Sequence, residues 1–472
     1  MFMSNRSTSI MLASLTLLSR AALLVAAPED TTADAVVGQT DFTSKEINAG
    51  GGVNSATATS LQEPRGMVVS PTDGRLWVAD TLNSRVLSWP TPAGFTNGQA
   101  PDIVLGQADF TSNQANKGGA NPSETTLNKP RSVTVDKAGR LYVADSSNFR
   151  ILRYDPPITS NQAAVQVFGQ PNFTTAVQNN GGTSNTSLGN PDGITIDMND
   201  NVYLIDRNLH RVLIFNTPAA TDNVADIVLG QAAFNTNTAN QPGGTPTAGN
   251  LNMPIAGHVD AAGNLYVCDE GNSRVLLYNP PFANGQAAVK VFGQLDFVSG
   301  NANQGGANAS AGSLSGPVGA TVDPVTGRLL VADPINNRIL EYNDPLTGDA
   351  VADRVFGQPD FTTRTVNTGG VSADSINDVA GVSTDAAGNL FASDRLNHRV
   401  LRYDAPPPMM NDMNNMDGDG NGGTSMSCGT CGPGVAGLLP LALVGWIAHR
   451  VRGPRRVRPL PDSADRAAER LA

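Results

Sequence analysis

Short apolar runs of four or five residues, each cut off by Asp, Gly or Asn, recur along this chain at a nearly fixed interval. The run Leu141–Ala144 ends in Asp145, turns over four residues and restarts at Arg150 with Ile151 and Leu152. Equivalent runs begin at Leu76, Val202, Leu265, Leu329 and Leu390. Their terminal acids are Asp80, Asp145, Asp206, Asp269, Asp333 and Asp394, a period of 61 to 65 residues. A fixed period of this length marks a repeat architecture, in which no unit closes a core alone.

A second string shares the period. Gly38-Gln39 returns as Gly106-Gln107, Gly169-Gln170, Gly230-Gln231, Gly293-Gln294 and Gly357-Gln358. A polar segment with a Gly-Gly pair follows each, and closes on Pro64, Pro130, Pro191, Pro254, Pro317 or, in the sixth copy, Val379. Next comes a short alternating string such as Ser132–Asp136. Each unit therefore reads as four strands: a after the proline, b ending in the Asp, c starting at the Arg, and d running into Gly-Gln. Short, evenly spaced strands bounded by turn residues predict an all-β fold, and four strands in each of six units predict a six-bladed β-propeller over 36–404. The phase fits a closed ring. The chain opens on a lone strand d (Val36–Gly38) and its last unit ends at strand c (Arg399–Tyr403), so the N-terminal strand is expected to complete blade six.

The string Pro-x-Gly…Val-Asp-x-x-Gly-x-Leu-Tyr-Val-Ala-Asp-x-x-Asn-x-Arg-Val-Leu resembles the NHL repeat, with six copies in phase. The copies depart from that pattern in two ways. Each carries a long extra segment between strands d and a, and the third has Leu209 where the others have Asn83, Asn148, Asn272, Asn336 and Asn397.

The ends differ in composition. Residues 1–27 read as a signal peptide, with Arg6 before an apolar stretch and Val25-Ala26-Ala27 as small residues for cleavage. Residues 405–432 read as a disordered linker. Within it, Asp417–Asn421 has the look of part of a calcium loop but lacks the closing acidic ligand. The linker ends in Cys428-Gly-Thr-Cys431. An apolar segment, 433–448, reads as a short transmembrane helix, and 449–472 as a basic cytoplasmic tail. Cysteine, short apolar helix and arginine cluster at the extreme end resemble the C-terminal sorting tails of myxobacterial surface proteins. Cys428 and Cys431 are the candidate processing or anchoring residues under that resemblance, which implies a protein exported to the cell envelope and held there.

The net charge of −11 is unevenly spread. The last 24 residues contribute +4 and the first 27 contribute +2, leaving the central portion near −17. Such a surface repels phosphate backbones and argues against nucleic acid as a partner. Three cysteines are too few for a disulfide framework. Cys268, before the fourth repeat Asp, takes a slot held elsewhere by Ala, Ile or Ser and reads as a small buried residue.

Catalytic candidates are few. The six repeat Asp residues and their arginines (Arg85, Arg150, Arg211, Arg274, Arg338, Arg399) recur too often to be an active site, and are expected to tie up the b–c turns. Departures between blades are more informative. The fourth residue after the proline is Val68, Thr134, Thr195, His258, Thr321 or Ser383, a ring expected near the axial channel, with His258 its only titratable member. One residue after the proline come Arg65, Arg131, Asp192, Ile255, Val318 and Ala380, expected to ring the channel mouth beside the b–c turns and the long insertions. NHL-like lyases and lactonase-like propellers resemble this fold, and that likeness implies several metal ligands at the axis. Only four histidines are present, and His210, His398 and His449 fall in turns or the tail. No cofactor is expected, although counting carboxylates leaves a Ca²⁺ site open. The expectation is a monomeric, non-enzymatic module that binds a protein, peptide or glycan through Arg65, Arg131, Asp192 and His258. A propeller hydrolase or lyase with a metal at the channel mouth is the alternative.

Overall fold

The computed structural model describes residues 30–90, 96–219 and 222–405. The expected signal peptide, Cys428, Cys431, the apolar segment 433–448 and the basic tail lie outside the described residues, as does nearly all of the linker. Among the described residues no helix is long and apolar enough to cross a membrane.

The described residues form six four-stranded antiparallel sheets, and each is one repeat. Blade two is representative, with strand a Pro130–Val135, b Leu141–Asp145, c Arg150–Tyr154 and d Gln166–Phe168. The remaining strands a are Pro64–Val69, Pro191–Ile196, Pro254–Val259, Gly319–Val322 and Val379–Thr384. Neighbouring strands a touch one another around the ring, which makes them the innermost strands. The chain is an all-β six-bladed propeller. Its closure follows the strand phase: Ala35–Val37 pairs with Arg399–Tyr403, placing Val36 opposite Leu401, and completes blade six as strand d.

Strands b are buried along their whole length, because a blade has a neighbour on both faces. Side-chain alternation then decides which neighbour a residue meets. In the first blade Leu76 and Val78 pack towards the sixth, with Phe391 and Val400, whereas Trp77 and Ala79 pack towards the second, with Val133 and Leu141. The core is thus six similar clusters, one between each pair of blades. A fully buried Leu such as Leu141 contributes about 1.5–3 kcal/mol through area removed from water.

Each b–c turn is a single 3-10 turn ending in a left-handed residue: Ser84, Phe149, His210, Ser273, Asn337 or His398. The repeat Asp accepts a backbone N–H from the residue that leads into strand a and not from the turn itself. Asn128 N donates to Asp145 Oδ1 at 2.7 Å, while Asp145 Oδ2 accepts from Asn148 (2.7 Å) and Arg150 Nε (2.8 Å). Arg150 also reaches the carbonyls of Ser123 and Thr126 in the insertion before its blade, and of Phe173 in the insertion after it. Across the ring seam Arg399 does the same, binding Ser372 and Ser375 on one side and Phe42 on the other. In every blade but the third the Arg Nε is hydrogen-bonded to its Asp, and these buried pairs are structural, fastening the insertions to the b–c face. Cys268 is wholly enclosed, and burial pushes its thiol pKa upwards.

Candidate functional site

The innermost strands explain how the mouth is built. In blades two, three, four and six the residue after the proline slot is skipped in the pairing: Pro130 faces Asp145, and Ser132, not Arg131, faces Ala144. In blade one both Arg65 and Gly66 are skipped. Such bulges turn a side chain away from the ladder. They release Arg65, Arg131, Asp192, Ile255 and Ala380 to the axis. Small residues follow because the strands converge there. A Cβ on Gly66 would lie 2.7 Å from Arg131 O, and one on Gly381 equally close to Arg65 O.

A cavity of about 540 Å³ runs along the axis. Both rings expected from the sequence line it. At one end are Arg65, Arg131, Asp192, Ile255, Val318 and Ala380, and further in are Val68, Thr134, Thr195, His258, Thr321 and Ser383. The opposite end, formed by a–b turns and one c–d loop, mixes apolar Pro71, Met198, Pro324 and Leu346 with the carboxylates Asp260 and Asp323. The arginines of the lining, Arg65 and Arg131, are therefore confined to one mouth of the channel.

The charged residues have distinct surroundings. The Asp192 side chain is fully buried and accepts from Arg131 Nη1 at 2.6 Å and Asn190 Nδ2 at 3.0 Å. Burial pushes the Asp192 carboxyl above the usual range, while Arg131, Arg207 and Arg65 pull against that. Asp192 is thus a counter-ion beneath the mouth and not a solvated rim charge. Arg65 is half-buried, and its Nε is enclosed with no hydrogen-bond acceptor among the described residues. Burial, followed by repulsion from Arg131 and Arg395, draws its pKa down to about 10, with Asp192 and Glu63 opposing.

His258 is half-buried in the channel wall and pairs across the blade with Tyr266. Burial lowers its pKa to about 4, so the imidazole is neutral at physiological pH. Among the described residues no group of three or more His, Cys, Asp or Glu is placed to hold a metal ion. His210 and His398 serve the framework instead. Their Nδ1 atoms accept the backbone N–H of Met253 (2.9 Å) and Glu63 (3.1 Å), each on the next blade.

Sequence reasoning missed a second tier of charge beside the mouth. Arg207 pairs with Glu270 at 2.9 Å, and Arg395 pairs with Glu63 (3.1 Å) and Asp378. Arg207, Glu270 and Arg395 share the first slot of the b–c turn, where blades one, two and five have Thr81, Ser146 and Pro334. Aligning that slot would have found them.

The insertions are mostly framework. Gln107, after strand d of blade one, donates to Ser84 O and to Gln114 O, both at 2.9 Å, which fixes the start of its insertion to the b–c turn. In the first, second, fourth, fifth and sixth blades an insertion asparagine bonds the turn asparagine, as in Asn116 with Asn148.

A comparison with the curated proteins finds no match. Among solved structures the chain is similar to a streptogramin B lyase, at 12% identity over 74% of this chain and 95% of that one, with a TM-score of 0.40. A catalytically inactive virginiamycin B lyase from Staphylococcus aureus with quinupristin gives 13% identity, 75% and 85% coverage and a TM-score of 0.40. A protein of unknown function from Bacteroides thetaiotaomicron gives 13% identity, 78% and 75% coverage and a TM-score of 0.47. The family described as NHL repeat matches residues 127–154, the second strand a–b–c unit, so this propeller carries an NHL repeat.

Proposed function

We propose that this chain is an exported, envelope-anchored binding module that takes a protein, peptide or glycan ligand on the face carrying the b–c turns, the six insertions and the charged channel mouth. The observation that carries this reading is the arrangement of that face. Insertions pinned by repeated hydrogen bonds encircle the channel, and residues beside the repeated anchors differ between blades, as in Ala49, Lys117, Asn180, Gln241, Gln304 and Thr368, which follow the insertion asparagines. Rigid framework with variable tips is what recognition requires. The alternative class, a hydrolase or lyase with a metal at the mouth, needs several ligands there. His258 and Asp192 are the residues nearest to that role, and Asp192 is already engaged by arginines.

The test uses the purified chain on peptide and glycan arrays. A ligand bound by the wild type should be lost by Arg65→Gln with little change in melting temperature. Its footprint should fall on the insertions. A footprint on the a–b turns, such as Lys137–Arg140, would refute the reading. Export and anchoring are tested separately: deleting 428–472 should release soluble propeller from the envelope, and retention after that deletion would refute the anchor.

A further inference from the structure

Four arginines stand around the mouth, and three have carboxylates. Arg131 has Asp192, Arg207 has Glu270, and Arg395 has Glu63 and Asp378. Arg65 has no ion pair and no hydrogen bond among the described residues, although its Nε is enclosed by protein. An enclosed guanidinium nitrogen without an acceptor is costly, and the planar fork of donors matches a carboxylate or phosphate. Arg131 is the adjacent ring member. Its Nη1 is given to Asp192, while its Nε is also enclosed without an acceptor. Beyond these two groups the channel passes a neutral ring, Val68, Thr134, Thr195, His258, Thr321 and Ser383, and holds no further arginine or lysine among the described residues.

We propose that the mouth is an oxyanion seat centred on Arg65, with Arg131 as its second arm, and that it takes an organic anion whose slender neutral body lies in the channel. This deepens the binding-module reading and rests on it. The seat accepts one anionic head and not a polyanion, because the chain as a whole carries a net charge of −11. The cavity, about 540 Å³, lies within the range of small-molecule sites. The bulges that free Arg65 and Arg131 from the ladder give the seat a backbone origin.

Calorimetry on the full chain with hexanoate, hexyl phosphate and hexanamide tests the proposal. One or both anions should bind at least tenfold more tightly than hexanamide, and the tighter of the two identifies the head as carboxylate or phosphate. Arg65→Gln should lose that tenfold preference and Arg65→Lys should lose part of it. Lys137→Gln, on the opposite face, should keep it. Without anion, Arg65→Gln should melt no lower than the wild type, because it removes a half-buried charge that has no ion pair. The proposal is overturned by equal affinity for hexanoate and hexanamide, by no anion binding, by intact preference in Arg65→Gln, or by a fall of several degrees in its melting temperature. An array ligand indifferent to Arg65 while hexanoate still binds would instead refute the binding-face reading and leave the seat standing.

Discussion

Leu209 fills the space that a side chain at position 189 would need: a Cβ on Gly189 would lie 2.7 Å from Leu209 Cγ. Gly189 has no left-handed backbone to justify a glycine, and the other blades have Gln62, Asn128, Asn252, Ser315 and Asn377 there. The pair replaces the asparagine of the b–c turn, and the local network loosens. Asn179 Oδ1 is left without a partner, and the Arg211–Asp206 contact opens to 3.5 Å against 2.7–2.9 Å in the other blades. Gly189→Asn alone should destabilise by about 1–3 kcal/mol through overpacking. In a Leu209→Asn background the same change should cost less, with a coupling of about 1 kcal/mol or more. Denaturant melts of the four-member cycle check this, and additive effects would mean the two positions are independent.

The seam between the termini should be the weakest point for truncation. Val36 and Val37 are fully buried, and Phe42 O accepts from Arg399. Removing 30–42 exposes the edge of strand c of blade six, and the two valines alone account for about 3–6 kcal/mol. A marked fall in melting temperature or aggregation on size exclusion is expected. A truncated chain that melts with the full one would contradict closure by this strand.

Much of this architecture was legible beforehand. The Asp period gave the blades, the offset between the first strand d and the last strand c gave the closure, and aligned slots gave both channel rings. Those features are local and repeat six times, so a single sequence carries its own comparison. What stayed hidden depends on reach across the ring. No spacing shows that Arg150 holds carbonyls in two insertions, or that Asp192 sits beneath Arg131 on the neighbouring blade. The bulge that exposes Arg65 was also invisible, since strand a reads as plain alternation.

The histidines predict an acid-labile ring. His210 and His398 use Nδ1 to accept a backbone N–H from the next blade, which the protonated ring cannot do, and burial lowers the pKa of both. The unfolded chain protonates its histidines near 6.5 while the folded one resists. Stability should therefore be full above about pH 6.5 and fall as the pH drops towards the lowered folded values. In blade five Asn337 performs the same task, accepting Asp378 N at 2.9 Å. His398→Asn should keep the bond and flatten the melting profile between pH 6.5 and 5. An unchanged slope would place the pH dependence elsewhere.

The last prediction concerns Asp192, which the sequence placed in the binding ring and the structure places under it. Its carboxylate takes Arg131 Nη1 at 2.6 Å and lies 3.8 Å from Arg207 Nε, with no exposed side-chain surface. A ligand at the mouth would then meet Arg131 and not Asp192. Removing the charge by Asp192→Asn keeps the shape but takes away the counter-ion, so Arg131 joins Arg65 as a second uncompensated guanidinium. Hexanoate affinity should rise about three- to tenfold, as expected for one more close positive charge near a protein surface. Stability should fall by about 2–5 kcal/mol, because a partly buried arginine loses its partner. The two effects have opposite signs and are read by calorimetry and melting on the same variant. If Asp192 instead held the ligand directly, through a hydroxyl or an amine, the substitution would weaken binding. A drop in hexanoate affinity at unchanged stability would therefore return Asp192 to the ligand-contacting ring and remove Arg131 from the seat.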